Sequence, residues 1–280
     1  MSLTIMAAVL LAALLHAGWN ALVKVNADPL VALALMATGA GVVGLCGLPF
    51  VPLPGGAALP WLAAALVLHT FYKLFLLQAY ATGDFGHVYP LARGTAPLLV
   101  TLVSVVWVGE PLAGTTLVAV LFLTAGVISL AFRGGAMPVR KDPRPLLYAL
   151  ATAAFIASYS VVDALGARAS TSPHAYALWL FALDALPMIA IALALRRGRV
   201  VAAIAAHWRP GLAGGAMSVL AYWLVIWSMT EAPMAPVSAL RETSVLFAAL
   251  LSVLVLRERF GALRLVATLC VVTGVALLGR

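Results

Sequence analysis

Residues 86–130 read GHVYPLARGTAPLLVTLVSVVWVGEPLAGTTLVAVLFLTAGVISL, and residues 234–278 read MAPVSALRETSVLFAALLSVLVLRERFGALRLVATLCVVTGVALL. The two stretches align without a gap at a shift of 148 residues, and about a third of their positions are identical. Two unrelated apolar helix pairs would match Leu, Val and Ala by chance, but they would seldom match charged residues in register. The sequence therefore predicts an internal duplication. The matched polar pairs include Arg93 and Arg241, Thr95 and Thr243, Ser104 and Ser252, and Glu110 and Glu258.

The composition of the chain is that of a protein embedded in a lipid bilayer. The chain has 280 residues, of which 64% are hydrophobic and 9% are charged. A helix needs about 20 mainly apolar residues to cross roughly 30 Å of hydrocarbon, and such segments follow one another along the whole chain. We therefore predict an all-α integral membrane protein. Ten transmembrane helices are expected at about 3–23, 30–50, 59–81, 87–109, 114–132, 146–166, 174–195, 210–230, 235–255 and 261–279.

The duplication divides these ten spans into two halves of five. An odd number of spans makes the second half enter the membrane from the opposite side, so we expect two inverted five-helix repeats. The first repeat should cover residues 1–132 and the second residues 146–280, with a linker at 133–145 that is rich in Gly, Pro and charge. Such symmetry favours alternating access to a central site. The alternative is a duplicated scaffold that does not transport.

The net charge of +8 indicates topology rather than nucleic-acid binding, because the cations lie in short loops between spans. The positive-inside rule places the more basic set of loops in the cytoplasm, which puts both termini outside. The less basic set holds Arg168 and Arg280. The more basic set holds Lys24, Arg133, Arg140, Lys141, Arg144, Arg196, Arg197, Arg199, Arg209, Arg257, Arg259 and Arg264.

Several motifs resemble the twin EamA domains of the drug/metabolite transporter superfamily. They are Gly109-Glu110-Pro111-Leu112 with Gly126-Val127, their counterparts Arg257-Glu258-Arg259-Phe260 with Gly274-Val275, and the stretches HAGWNALVK (16–24), AYATGDFGHVYPLARGTAP (79–97) and ALRETSVLFAALLSVLVLRERFG (239–261). The resemblance implies a ten-helix carrier of the bacterial inner membrane, often an exporter of amino acids or related metabolites, with no bound cofactor. Some relatives are associated with phosphonate use. Better-studied relatives keep their termini in the cytoplasm, in contrast to the charge distribution here.

The two matched arginines are the first candidates for substrate binding. Arg93 and Arg241 each lie about six residues inside a span, or roughly 9 Å along a helix. Ionisable groups are costly in hydrocarbon unless they face a cavity or a partner. A guanidinium binds a carboxylate or phosphonate through two parallel hydrogen bonds, so an anionic or zwitterionic ligand is expected. The alternative is structural: Arg241 pairs with a nearby acid and Arg93 with a loop carbonyl.

A polar stripe on span 3 supplies further candidates for substrate binding. His69, Tyr72 and Lys73 share one helix face, whereas the equivalent residues of span 8 are not ionisable. Alternatively, Lys73 extends along the helix to the membrane interface. The remaining substrate-binding candidates are His16, Trp19 and Asn20 in span 1, Tyr159 in span 6, and Tyr222, Trp223 and Trp227 in span 8, where the last three would form an apolar wall or an interfacial belt.

Two acids inside the spans are candidates for ion or proton coupling. Asp163 is the first choice, and Asp184 is the second. A charge that is neutralised during the transport cycle can link ion movement to substrate movement. The more ordinary alternative for Asp163 is a static salt bridge to Lys24 or Arg168. Glu110 and Glu258 lie at span ends, where we expect helix capping.

The sequence lacks the usual signatures of enzymes and pumps. It contains no GxxxxGK[ST] loop, no metal-ligand spacing and no nucleophile–base arrangement, so neither an enzyme nor a metal site is predicted. We expect a secondary exporter of a small polar metabolite. The alternatives are an importer of a small organic anion such as a phosphonate, and a membrane assembly protein. The protein could be a monomer or a dimer.

Overall fold

The computed structural model describes residues 1–23, 28–132, 142–248, 250 and 262–279, and the regular structure within those ranges is helical. Six described helices are long and apolar enough to cross a membrane, and shorter apolar helices lie near both chain ends. The chain is therefore a multi-pass membrane protein. The helices are α1 (Leu3–Val23), α2 (Pro29–Gly47), α3 (Leu59–Thr82), α4 (Phe85–Val103), α5 (Gly114–Ser129), α6 (Arg144–Ala169), α7 (Pro173–Glu231), α8 (Met234–Arg241) and α9 (Ala262–Leu278).

Several helices begin where a short polar side chain caps them. The carboxylate of Asp28 accepts hydrogen bonds from two backbone amides at the start of α2, and Asp84 accepts one at the start of α4. Ser172 does the same for α7. Proline follows the cap of α2 and of α7, at a position where its missing N–H is not needed. These caps set the beginnings of the helices close to the predicted span boundaries.

Helix α7 is two antiparallel segments rather than one rod. Its 59 residues would extend about 90 Å, roughly three times the thickness of the hydrocarbon core. The backbone is non-helical at Arg197 and His207. Trp223 Nε1 donates a hydrogen bond to His174 Nδ1 at 2.8 Å, so the two ends of α7 lie side by side. We call residues 173–196 the first arm and residues 208–231 the second arm.

The connection between the arms differs from the sequence prediction. The sequence predicted two spans joined by a loop, but residues 198–206 between the arms are also helical. Most of these residues are alanine and valine, which carry no side-chain groups that compete with helical hydrogen bonds. The reversal is therefore confined to the neighbourhoods of Arg197 and His207.

The predicted ninth span is interrupted. Helix α8 ends at Arg241, Glu242 and Thr243 form a turn, and helical structure resumes at residue 244. The hydroxyl of Thr243 donates to the carbonyl of Leu240 at 2.8 Å, and several backbone bonds here span three residues instead of four. Residues 249 and 251–261 lie outside the described part of the chain, so the count of ten spans stays a prediction.

The described loops gather at two ends of the bundle. At one end, which we call the Glu110 end, Arg168 contacts Glu110, and the hydroxyl of Thr171 donates to the carbonyl of Leu53. At the other, the Asp28 end, Asp28 contacts Arg196. Loops after the predicted spans 2, 4 and 6 thus meet at one end, and loops after spans 1 and 7 meet at the other.

Glycines allow the closest helix contacts. A Cβ on Gly215 of the second arm would lie 2.3 Å from the backbone nitrogen of Ala40 in α2, so the two backbones touch there. Helices α5 and α9 approach each other in the same way. A Cβ on Gly126 would lie 2.9 Å from the carbonyl oxygen of Ala267, and one on Gly274 would lie 2.9 Å from that of Ala119.

Candidate functional site

Two arginines and one glutamate form a buried cluster in the middle of α4 and at the end of α8. Arg93 Nε lies 2.6 Å from Glu242 Oε2, and Arg241 Nε lies 3.3 Å from Glu242 Oε1. No more than 3% of the surface of any of the three is exposed. We call Arg93, Arg241 and Glu242 the arginine cluster. Its formal charges sum to +1, because one carboxylate faces two guanidinium groups.

The outer nitrogens of both guanidinium groups have hydroxyl partners. Arg93 donates to Ser244 Oγ and Arg241 donates to Ser160 Oγ, each at 3.4 Å. The structural alternative for Arg241, a nearby acid, is present in Glu242. For Arg93 the expected loop carbonyl was wrong, because its ion-pair partner is also Glu242. Glu242 lies in the turn that follows α8. Its carboxylate is a stronger partner for the buried Arg93 than a neutral carbonyl would be.

Glu242 was not among the predicted site residues, although the duplication contains a signal for it. A shift of 148 residues aligns Glu242 with Gly94, so only the second half carries an acid there. A side chain at Gly94 would meet Ile128, since a Cβ would lie 2.5 Å from Ile128 Cγ1. An ionisable residue in one half that aligns with a packed glycine in the other half points to a functional residue. The polar stripe of span 3, which has no ionisable counterpart in span 8, is a signal of the same kind.

Asp163 is the centre of a second polar cluster. This fully buried residue of α6 has one carboxylate oxygen 2.8 Å from His69 Nε2, and that oxygen also accepts a hydrogen bond from the Tyr222 hydroxyl at 2.6 Å. The other oxygen accepts one from the Tyr176 hydroxyl at 3.0 Å. We call these four residues the aspartate cluster. Three partners from α3 and both arms of α7 replace the water that a buried carboxylate loses.

The predicted alternative for Asp163 was wrong in part. Arg168 does not reach Asp163, because its guanidinium is engaged at the Glu110 end by Glu110 and by the carbonyl of Met229. Lys24, the other partner considered, lies outside the described residues. The sequence also gave no indication of Tyr176, which lies in the first turn of α7.

Aromatic rings connect the two clusters. His69 stacks on Tyr159 with ring centroids 4.1 Å apart, and Tyr159 meets Tyr222 edge to face at 5.8 Å. Tyr72 lies 5.3 Å from Tyr159. The guanidinium carbon of Arg241 is 5.9 Å from the centre of the Tyr222 ring, within the range of a cation–π contact. Tyr222 therefore contacts Asp163 through its hydroxyl and Arg241 through its ring.

Lys73 and Asp184 form a separate pair. Lys73 Nζ donates to Asp184 Oδ2 at 2.5 Å, and both side chains are largely buried. The alternative that Lys73 extends to the membrane interface was wrong, because this ion pair holds its ammonium group inside the bundle. The Oδ1 atom of Asp184 is buried and lacks a hydrogen-bond partner within the described chain.

The structure also describes the surroundings of other predicted residues. The ring centroids of His16 and Trp19 lie 5.0 Å apart. Trp223 donates a hydrogen bond to His174, and both Trp223 and Tyr222 pack against the same cluster of buried apolar residues. Trp227 is partly buried, and the side chain of Asn20 lies outside the described residues.

Glu110 confirms the expectation of a capping role. Its Oε2 atom accepts a hydrogen bond from the backbone nitrogen of Met234 at 2.7 Å, which caps the start of α8. Its other oxygen pairs with Arg168. Glu258, for which capping was also expected, lies outside the described part of the chain.

A solved crystal structure of a protein shares this fold. It aligns with 98% of this chain and 95% of its own chain at a TM-score of 0.77, with 20% sequence identity. That identity shows likeness of fold alone. The sequence of the second half carries a more specific signal. Residues 143–280 match the EamA-like transporter family.

The EamA-like region contains Asp163, Asp184, Tyr222, Arg241 and Glu242. The match therefore places most of both clusters inside the region that is similar to the EamA-like transporter family. No curated protein is significantly similar to the chain. No group of three or more potential metal ligands occurs within residues 1–23, 28–132, 142–248, 250 and 262–279.

Proposed function

We propose that this protein is a secondary transporter that exports a small zwitterion or organic anion across the bacterial inner membrane by alternating access. The arginine cluster carries the proposal. An arginine pair that served only to hold helices together would be expected to have a counter-charge for each member, because an uncompensated charge is costly inside a membrane. The cluster leaves one positive charge that the anionic group of a substrate can balance.

The surroundings of the cluster favour an amino-acid-like ligand. A guanidinium can hold a carboxylate or phosphonate through two parallel hydrogen bonds. The Tyr222 ring contacts Arg241, Tyr159 contacts Tyr222, and Tyr72 contacts Tyr159. These rings offer faces to an ammonium group or an apolar side chain. Asp163, which accepts a hydrogen bond from the Tyr222 hydroxyl, adds a negative charge beside these rings. His16, Trp19, Asn20, His69, Lys73, Trp223 and Trp227 complete the proposed set of substrate-binding residues.

Contacts between α5 and α9 support an inverted repeat. Gly126 approaches Ala267 as Gly274 approaches Ala119, and a shift of 148 residues converts the first contact into the second. Such an exchange is expected of two units related by a pseudo-twofold axis. In the proposed cycle the two repeats exchange conformations and open the site to each side in turn.

Asp163 is proposed as the group that couples transport to protons, with Asp184 as the second candidate. Asp163 touches Tyr222, whose ring also contacts Arg241, so a change in its charge can reach the substrate site through one side chain. His69, on the same oxygen of Asp163, is placed to exchange a proton with it.

The test uses purified protein in liposomes and a panel of labelled amino acids and 2-aminoethylphosphonate. We expect Arg93→Ala and Arg241→Ala to lower the rate of the transported compound about 10- to 100-fold, the effect of losing one charge-assisted interaction. Arg144→Ala is the matched control, since that exposed arginine contacts Asp142 outside the bundle. Normal flux in both cluster variants would contradict the proposal.

A second candidate is the uptake of a small organic anion such as a phosphonate. The excess charge of the arginine cluster also suits this substrate class. Flux measured under gradients of opposite orientation separates export from import. If no compound of the panel moves under either gradient, and none raises the thermal stability of the protein, the third candidate, a membrane assembly role, is favoured.

A further inference from the structure

The turn between the two arms of α7 forms an open depression at the Asp28 end of the bundle. Its volume is about 420 Å³, and it is lined by Ala194, Leu195, Arg196, Arg197 and Arg199. It belongs neither to the arginine cluster nor to the aspartate cluster.

The depression carries excess positive charge. All three of its arginines are exposed. The carboxylate of Asp28 lies 2.9 Å from Arg196 and 3.8 Å from Arg199. In the described part of the chain, Arg197 has no carboxylate within ion-pair distance, so the three arginines and Asp28 together leave two positive charges. An anionic partner is expected.

The backbone of Arg197 is strained. Its φ of 23° is the only positive φ at a non-glycine residue in the described ranges. The next residue is Gly198, which could adopt such an angle without a steric penalty. The turn nevertheless places the strain on the arginine. Residues held in such strained conformations cluster at functional sites.

The side chains next to the depression are of the types found at the interface between water and lipid. Leu195 and Val201 are apolar and more than half exposed. Trp208 is also more than half exposed, and the Arg209 guanidinium lies 5.3 Å from the centre of its ring. Tryptophan and arginine beside exposed aliphatic residues are typical of the headgroup level of a bilayer.

We propose that this depression binds the headgroup of an anionic phospholipid, with Arg197 as the main ligand of the phosphate. The planar guanidinium offers two donors to the phosphate oxygens, and Arg199 adds a second positive charge. Leu195 and Val201 contact the acyl chains. The apolar neighbours favour a lipid over free phosphate, which shares only the headgroup chemistry. This site is independent of the proposed transport function.

The experiment measures lipid retention by the full chain in detergent, using native mass spectrometry with an equal mixture of phosphatidylglycerol and phosphatidylcholine. The wild type should retain phosphatidylglycerol preferentially. Arg197→Gly should reduce that preference about fivefold, the effect expected of one basic residue at a membrane surface. Glycine relieves the strained backbone, so this variant should keep the thermal stability of the wild type. Arg197→Lys should retain part of the preference.

Arg144→Ala is the control, because Arg144 is exposed but pairs with Asp142. It should keep the wild-type preference. An unchanged preference in Arg197→Gly, or an equal loss in Arg144→Ala, overturns the proposal. A second arm adds inorganic phosphate at matched ionic strength. If phosphate displaces the lipid and stabilises the protein as much as phosphatidylglycerol does, the depression is a free-anion site and the lipid assignment is wrong.

Discussion

Glu242 keeps two buried cations in the membrane interior, and its removal should be more damaging than the loss of other carboxylates. Glu242→Ala leaves Arg93 and Arg241 without a counter-charge and should lower the free energy of unfolding by about 3–5 kcal/mol. Thermal unfolding in detergent measures this effect. Glu110→Ala should cost less, because its partner Arg168 is 30% exposed and keeps two carbonyl acceptors.

The same variant tests whether the two arginines can hold a carboxylate from solution. Acetate should raise the unfolding temperature of Glu242→Ala more than chloride at equal ionic strength, because it fills the vacated position. Glu110→Ala should show no such difference. An equal response of both variants to acetate would exclude a specific anion site at the arginine cluster.

Helix α2 depends on its N-cap. Burial of Asp28 opposes its ionisation, but the hydrogen bond from Arg196 and those from the amides of Val31 and Leu30 outweigh it and hold the pKa of Asp28 below its ordinary value of 3.8. The carboxylate therefore stabilises the fold above that ordinary pKa, and the contribution is lost as the pH falls through the lower pKa of the folded state.

Asp28→Ala should consequently lower the stability at neutral pH by about 1 kcal/mol, the usual effect of losing an N-cap. The difference from the wild type should diminish as the solution is acidified below pH 3.8. Unfolding curves at a series of pH values provide the measurement. A difference that stays constant down to the lowest pH would show that ionised Asp28 contributes nothing.

The contact between α2 and the second arm requires glycine at position 215. Gly215→Ala places a methyl group 2.3 Å from the Ala40 nitrogen, so the two helices must separate. We expect a loss of about 1–3 kcal/mol in thermal unfolding, typical of overpacking. Gly114→Ala is the matched control, because a Cβ there meets nothing within 4 Å. Equal stability of the two variants would contradict this close contact.

The proposed proton coupling concerns the whole molecule, because it would link one buried acid to the movement of both proposed repeats. Asp163→Asn removes the charge and keeps one acceptor oxygen, so the new amide can accept the hydrogen bond of either Tyr176 or Tyr222. Its flux in liposomes should no longer respond to an imposed pH gradient, while movement down the substrate gradient persists. Asp184→Asn is the comparison, and if it alone loses the response, the second candidate replaces the first.

The orientation of the bundle is also a property of the whole chain. Gly279 lies near Met6, so both ends of the described chain are close together. The positive-inside rule predicts that the arginine-rich Asp28 end lies in the cytoplasm and that the termini lie outside. A reporter that works only outside the cytoplasm should be active when fused after Arg280. Activity restricted to a cytoplasmic reporter would reverse the assignment.

Local sequence predicted the helix face of some candidate residues but not their partners. His69 and Lys73 were expected to share a face of α3, and they lie one turn apart there. They nevertheless bind different acids, Asp163 and Asp184, which lie 94 and 111 residues further along the chain. The face that a residue occupies follows from helical periodicity, whereas its partner depends on the rotation and depth of other helices.

The sequence by itself determined that this chain is a helical membrane protein, with spans near the positions observed for the described helices. The reason is that a bilayer offers no partner for backbone polar groups, so apolar segments of sufficient length must form helices. Only the tertiary structure decided that Arg93 and Arg241 share Glu242 and that Tyr222 joins them to Asp163. Arg241 and Glu242 are neighbours in sequence, but the other contacts arise between helices far apart in the chain, where packing rather than residue spacing selects which charges meet.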